Sequence, residues 1–383
     1  MQPTQHNDCM PAEAVLAVSL ELSGASWKIA LHDGKRDKPA IYTVSEEAPA
    51  SRLEHAVAVI EAVKQKWSLP EQAPVTVIYE AGQDGFWISR ALSARGYQVL
   101  VVDPASIPVE RHARRAKTDR LDAIRLVMCL RAWVRGERGQ MRVVQVPSPE
   151  AEAQRHLVRD RGELQKEIGQ HHDRIRKLLR TVGCWDPVDS KLSSSLEQGL
   201  VRCADGSALP ALLQARLERE CERLVLVEKQ FHELEATLME QLPAPVQQRV
   251  THLMKLKAVG PVGATRLVLE LFWRDFHNRR QVGACVGLAP QPYDSGQSQV
   301  DQGISKQGNR RVRALLIEMA WFWLRYQPRS ALSQWFACRT QGSGPNKRAR
   351  RISIVAVARR LAIALWRYLK DGEIPAGANM KTM

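Results

Sequence analysis

Between residues 14 and 103, strand-like and helix-like stretches follow one another in an order that few folds accept. Ala14–Leu22 and Trp27–Leu31 read as paired strands with a turn at Ser23-Gly24, and Ile41–Val44 reads as a third strand. Ser51–Trp67 then takes up the 3.6-residue period, with Leu53, Ala56, Val57, Ile60 and Val63 on one face. A strand at Val75–Tyr79, a helix at about Phe86–Arg95 and a strand at Gln98–Val102 complete the series. Three strands in a meander, then strands alternating with helices, predict a mixed α/β sheet. The order β-β-β-α-β-α-β is that of an RNase H-like core.

The rest of the chain reads as helical. Lys117–Arg135 is a helix with Thr118 as N-cap. From Glu150 to about Val182, Leu157, Leu164, Ile168, Ile175 and Leu179 step by seven and four. Leu213/Leu217, Leu224, Val227/Phe231 and Leu234/Leu238 repeat that spacing beyond the Gly/Pro/Ser-bearing stretch Gly183–Pro210. These heptads predict coiled-coil helices, as an antiparallel arm, a dimer contact or packing within one chain. Leu256 to Ala264 resembles a helix-hairpin-helix turn, and an ordinary interhelical turn fits it equally. A loop-rich stretch Gly287–Gly308 precedes helices at about Arg310–Tyr326 and Ile352–Lys370. The expected fold class is α/β plus α, with a tail at 1–13, an RNase H-like domain at 14–148, a coiled-coil region at 149–245, a mostly helical domain at 246–372 and a tail at 373–383.

Charge narrows the partner. The 383 residues carry a formal net charge of +15. The excess sits in two blocks: residues 104–181 hold 18 basic and 10 acidic side chains, and residues 301–370 hold 15 and 2. One such block alone is compatible with a solvated helix face. A 70-residue block that includes Lys347-Arg348-Ala349-Arg350-Arg351 points to a polyanion, because each cation meeting a phosphate releases counterions. Apolar runs such as Ile352–Ala358 and Leu361–Trp366 are cut by Arg359 and Arg360, short of a membrane span. With no secretory pattern in the first thirteen residues, a cytosolic address is expected. Seven scattered cysteines without a Cys-x-x-Cys pair read as reduced, mostly buried thiols rather than zinc ligands.

Carboxylates at strand ends of an RNase H-like core gather divalent metal for phosphoryl transfer, so Asp and Glu positions matter. Glu21 lies near the end of the first strand, Glu80 closes Val75–Tyr79, and Asp119 and Asp122 share one helix face. Each has an ordinary alternative. The helix macrodipole favours acids in a first turn, and Glu21 and Glu80 also fit as surface residues. Taken alone, Asp294-Ser295-Gly296 is a turn.

Together these residues carry a resemblance. Tyr79-Glu80-Ala81-Gly82, Lys117 to Ala123, Gly287-Leu288-Ala289-Pro290 with Asp294-Ser295-Gly296, and Gly303 to Arg310 resemble motifs of the DEDD insertion-sequence transposases of the IS-one-ten and IS-eleven-eleven group, related to Piv-type DNA invertases. The resemblance spans about residues 14–370. It implies a RuvC-like catalytic domain joined by a coiled coil to a C-terminal transposase domain. Glu21, Glu80, Asp119 and Asp122 would bind Mg²⁺ or Mn²⁺, and Ser295 would be the nucleophile, with Ser298 its nearest competitor. A structured guide (bridge) RNA would pair with donor and target DNA. The protein would act as a dimer or tetramer, with the acids of one protomer meeting Ser295 of another, in a bacterial cytoplasm and nucleoid-associated. One departure is that the family's first acid is normally Asp, and Glu21 is one methylene longer.

Three basic clusters would grip nucleic acid: Arg111, Arg114, Arg115 and Lys117; Lys306, Arg310, Arg311 and Arg313; and Lys347, Arg348, Arg350 and Arg351. Among Trp321, Phe322 and Trp323, at least two are expected in the core and the remainder is available to stack on bases. The expected function is an RNA-guided DNA recombinase. The alternatives are a RuvC-type junction-resolving nuclease using water as nucleophile, and a binding protein whose site has decayed through Glu21.

Overall fold

The computed structural model describes residues 15–108, 118–139, 141–296, 298–341 and 347–381. The chain divides at Pro147/Ser148 into two compact units. The expected tail at 1–13 lies outside the described residues.

In the first unit, β1 (Leu16–Leu22), β2 (Trp27–His32) and β3 (Ala40–Val44) form an antiparallel meander. After α1 (Pro49–Lys66), β4 (Val75–Glu80), α2 (Trp87–Ser93) and β5 (Gln98–Val102) add parallel strands on the other side of β1. The sheet order is β3-β2-β1-β4-β5, with β1·β4 and β4·β5 parallel. The two faces differ in residue size. Leu16, Val18, Leu20, Val77 and Tyr79 pack with Leu53, Ile60, Val63, Ile88 and Leu92 of α1 and α2. On the other face Ala17, Ala30 and Ser19 are small, which lets α3 (Asp119–Val134) come close with Ala123, Leu126, Val127 and Leu130. Thr118 caps α3 by accepting from the Leu121 amide, as its position predicts.

In the second unit, α4 (Pro149–Arg180) runs antiparallel to α6 (Ala211–Thr237). Arg161 pairs with Glu235, His172 with Glu228 and Arg174 with Glu220, so positions rise on one helix as they fall on the other. The two heptad series therefore meet within one chain. Between them α5 (Leu192–Glu197) places Leu192 and Leu196 against Ile175, Leu179 and Leu217. The remainder holds α7 (Ala244–Met254), α8 (Pro261–Glu270), α9 (Arg279–Cys285), the strands β6 (Pro290–Ser295) and β7 (Ser298–Ile304), α10 (Arg310–Tyr326), α11 (Ala331–Thr340) and α12 (Lys347–Asp371). Its core is built on Leu253, Leu267, Phe272, Leu316, Trp323, Val357 and Leu361.

Several expectations are corrected. The stretch 287–308, read as loop, is an antiparallel hairpin of β6 and β7. α11 falls where no helix was assigned, whereas α12 opens on the Lys347–Arg351 cluster. The described part of the stretch read as a tail at 373–383 packs back onto the unit. Met380 bridges Leu256, and the buried Gln327 amide bonds Asn379 and the Lys257 carbonyl. Only Trp323 of the aromatic trio is core, whereas Trp321 and Phe322 are exposed. Among the described cysteines Cys184 and Cys221 are buried and Cys338 is exposed, so burial is less general than expected. Among the described residues no helix is long and apolar enough to cross a membrane.

Candidate active site

Strand register brings two of the four acids together. Leu20 of β1 lies opposite Tyr79 of β4, so one further step places Glu21 beside Glu80 at the C-terminal edge of two parallel neighbours. Adjacent strands stand about 4.8 Å apart, and register partners point to the same face. That face is the α3 side, since Ala17 and Ser19 precede Glu21 on it and Ile78 precedes Glu80.

α3 supplies the other two. The Ser19 hydroxyl donates to the Ala123 carbonyl at 2.6 Å, and Arg131 donates to the Val15 carbonyl at 3.1 Å. From Ala123 to Arg131 the helix rises about 12 Å, while from Ser19 to Val15 the strand spans about 13 Å, so α3 runs antiparallel to β1 in matched steps. Stepping the other way, the first turn of α3 comes level with Glu21. Asp119 and Asp122 occupy that turn. All four acids therefore stand at one edge of one sheet face.

They do not form a closed cluster. Among the described residues no three His, Cys, Asp or Glu side chains are close enough together to hold a metal ion. Asp119 is exposed, and Asp122 is paired with Arg125 at 2.9 Å. The donor set is nevertheless made of hard carboxylate oxygens, the kind that Mg²⁺ and Mn²⁺ take. Asp103, just past β5, is an acid that the sequence reading passed over; its carboxylate caps Ala105 and pairs with Arg142 at 3.2 Å, a local structural use.

Ser295 belongs to the second unit. It ends β6 and pairs with Ser298 across the tip of the hairpin, where Gly296 takes φ +57°. All of β6 is exposed. The hairpin's base, by contrast, is tightly held. Ser305 and Lys306 amides donate to the Ala289 and Gly287 carbonyls, and the Asn309 amide donates to the Cys285 carbonyl. A Cβ at Gly287 would stand 2.2 Å from the Gln307 carbonyl oxygen, and one at Gly308 would stand 2.2 Å from that of Cys285. Glycine is required at both positions because the chains pass so close. No histidine or carboxylate among the described residues hydrogen-bonds the Ser295 hydroxyl. The Ser298 side chain lies outside the described residues.

A buried carboxylate beneath the hairpin was not anticipated. Glu270, 3% exposed, accepts from Arg159 of α4 at 2.8 Å and from the Asn309 side-chain amide at 2.9 Å. Burial alone would raise its pKa, but Arg159 and Asn309 hold it below the usual carboxylate value. Asn309 also caps α10 through the amides of Arg311 and Val312. Nothing in periodicity or local composition marks Glu270, whose partners are 39 and 111 residues distant in sequence.

The basic clusters fare unevenly. Arg111, Arg114, Arg115 and Lys117 lie outside the described residues, as does the side chain of Lys347. Lys306, Arg310, Arg311, Arg348, Arg350 and Arg351 are exposed. Arg311 also reaches Glu163 at 3.6 Å. Arg313 has a local structural use: its guanidinium donates to the Val286 and Lys306 carbonyls, which makes it a clamp on the hairpin's base.

Comparison with known proteins gives two family matches. Residues 250–334 match a model described as transposase, IS116/IS110/IS902 family, and residues 43–183 match a DEDD-type IS110 transposase model. The chain is 41% identical over 379 residues to y4rJ of Sinorhizobium fredii, named a transposase, covering 95% of this chain and 94% of the relative. It is 25% identical to the transposase for insertion sequence element IS1111A of Coxiella burnetii, over 78% of each chain. It is 23% identical to the transposase for insertion sequence element IS1328 of Yersinia enterocolitica, over 79% of this chain and 85% of the relative.

Proposed function

Because the chain belongs to the IS116/IS110/IS902 family of DEDD transposases, we propose that it excises and inserts a DNA element by metal-dependent, serine-mediated strand exchange guided by a structured RNA. The observation that carries this reading is the convergence of Glu21, Glu80, Asp119 and Asp122 on one edge of the α3 face. The order β3-β2-β1-β4-β5 is read as RNase H-like, and the α4–α6 pair as the family's coiled coil.

The four carboxylates would hold Mg²⁺ or Mn²⁺, with Asp122 leaving Arg125 to do so. When bound, such an ion supplies Lewis-acid stabilisation of charge at a phosphate. Ser295 stands at the tip of an exposed arm whose base is rigid, which suits delivery of a hydroxyl to acids outside its own unit. Attack of its Oγ on a DNA phosphorus forms one P–O bond and breaks another. One strand end leaves as a hydroxyl, and the serine proton passes to an acceptor at the acidic edge. Reversal with a different strand end rejoins DNA without any outside energy source. The composite arrangement, with the acids of one protomer and Ser295 of another in a dimer or tetramer, belongs to this reading. So does the bridge RNA, which rests on family likeness and on the two basic blocks.

The test is a recombination assay with donor and target DNA, guide RNA and Mg²⁺, scored also for covalent protein–DNA adducts. Ser295→Ala is expected to abolish both product and adduct, and Asp119→Ala to abolish all strand cleavage. Full recombination by Ser295→Ala would overturn the serine role. Cleavage of branched DNA that survives Ser295→Ala but not Asp119→Ala would establish the junction-resolving alternative instead. Cleavage that survives Asp119→Ala would remove the acids from the chemistry.

A further inference from the structure

We propose that the solvent face of α10 is a stacking surface for the unpaired bases of a DNA strand opened during strand exchange. The basis is the chain's membership of a DNA transposase family, and no role for Ser295 is needed.

α10 has two distinct sides. Val312, Leu316, Met319 and Trp323 face the core. Around the rest of its circumference it exposes Trp321, opposite that stripe, and the i, i+4 pair Phe322 and Tyr326 on the flank, with 42%, 43% and 49% of their surfaces exposed. Three large rings left in water within six residues form a patch of the kind that marks a binding surface. The rings are held in place rather than loose. Phe322 lies nearly parallel to Tyr326 with centroids 6.4 Å apart, and Trp321 meets Phe336 of α11 edge-on at 5.9 Å.

Cations flank the rings. The Arg325 guanidinium lies 5.4 Å from the Tyr326 centroid, and on the adjoining α11 Arg339 lies over Trp335 at 5.7 Å. Residues 301–370 hold 15 basic residues against Asp301 and Glu318, and Glu318 lies exposed on α10 one turn before Trp321 and Phe322. A ligand that satisfies both features must be a polyanion that also presents flat π-faces. Bases stack on exposed rings, and arginines take the phosphates. An acidic protein would answer the charge and leave the rings bare. A second copy of the same face would set arginines against arginines. A duplex hides its base faces, so the fit is to an unpaired strand. Exchange of DNA strands opens such a strand at the protein itself.

The full-length protein would be titrated by fluorescence anisotropy against an unstructured 20-nucleotide DNA, its duplex, and RNA of the same sequence. Two double variants are compared, Trp321→Ala/Phe322→Ala and Trp321→Leu/Phe322→Leu; the second keeps apolar bulk and removes the rings. Circular dichroism confirms folding, and the leucine pair decides the outcome should the alanine pair misfold. Both are expected to weaken single-strand DNA binding by about tenfold or more, with duplex binding changed less than about twofold. Trp321→Tyr/Phe322→Tyr is expected to restore most of it. Wild-type affinity in the leucine pair, an equal loss on duplex, a loss confined to RNA, or a loss explained by altered sedimentation would each overturn the proposal. Wild-type protein that binds the single strand as expected but does not recombine DNA would overturn the proposed function and leave this surface standing.

Discussion

Small residues decide where the acids stand. Ala17, Ser19 and Ala30 leave room for α3 to lie against β1, and the Ser19 hydroxyl fixes its height by holding the Ala123 carbonyl. A bulkier residue at Ser19 would lift the helix and carry Asp119 and Asp122 away from Glu21 and Glu80. Gly308 plays the corresponding part under the Ser295 arm, with φ +104° and the Cys285 carbonyl where a Cβ would be. Gly308→Ala incurs both left-handed strain and a backbone clash, so a loss of about 2 kcal/mol or more is expected. Thermal melting measures that loss, and a melting temperature unchanged from wild type would show that the loop is not clamped as described. The acids were legible in the sequence because strand ends and a helix start are marked by local pattern. Glu270 was not, because its meaning comes only from Arg159 and Asn309 arriving from elsewhere.

Elements with a buried apolar face were legible and those without one were not. β1, β2, β4 and β5 are covered on both sides, and α4 and α6 show their shared seam in the heptad steps. The β6–β7 hairpin escaped notice because β6, Pro-Gln-Pro-Tyr-Asp-Ser, is exposed along its whole length. A strand with no core-facing side has no reason to alternate. The α4–α6 seam contains one further polar device. Glu220, 5% exposed, accepts from His171 at 2.8 Å and from Arg174 at 2.7 Å. Burial alone would raise its pKa, but His171 and Arg174 hold it below the ordinary carboxyl value of 4.5. A folded value below the unfolded one stabilises the hairpin fully above about pH 4.5, and that contribution fades as pH falls through the folded value. Glu220→Ala is expected to cost about 1–3 kcal/mol near neutral pH and to flatten the acid limb of the stability curve. Denaturant melts of both proteins from pH 3 to 7 test this, and parallel curves would exclude Glu220 as the acid-sensitive group.

At the scale of the whole molecule, charge and chemistry are segregated along the chain. The acids belong to the first unit, while residues 301–370, with 15 basic side chains, belong to the second. Composition made this division visible, and strand register made the acidic edge visible. The position of Ser295 on a projecting arm was hidden, because an exposed hairpin and a loop share the same polar composition. DNA held by such a basic block should respond to salt as a polyelectrolyte does. Each phosphate neutralised adds about −0.9 to the slope of log K against log salt. Arg350 and Arg351 are both exposed in the first turns of α12. Replacing both with glutamine is expected to make the slope shallower by up to about 1.8 and to weaken DNA of any sequence to a similar degree. Filter-binding titrations of two unrelated duplexes between 50 and 200 mM salt supply the slopes. If the double variant keeps the wild-type slope, the start of α12 does not contact the backbone, and the polyanion must lie over Lys306 and Arg310 or elsewhere. If the slope falls for one duplex only, these arginines read sequence instead of phosphate.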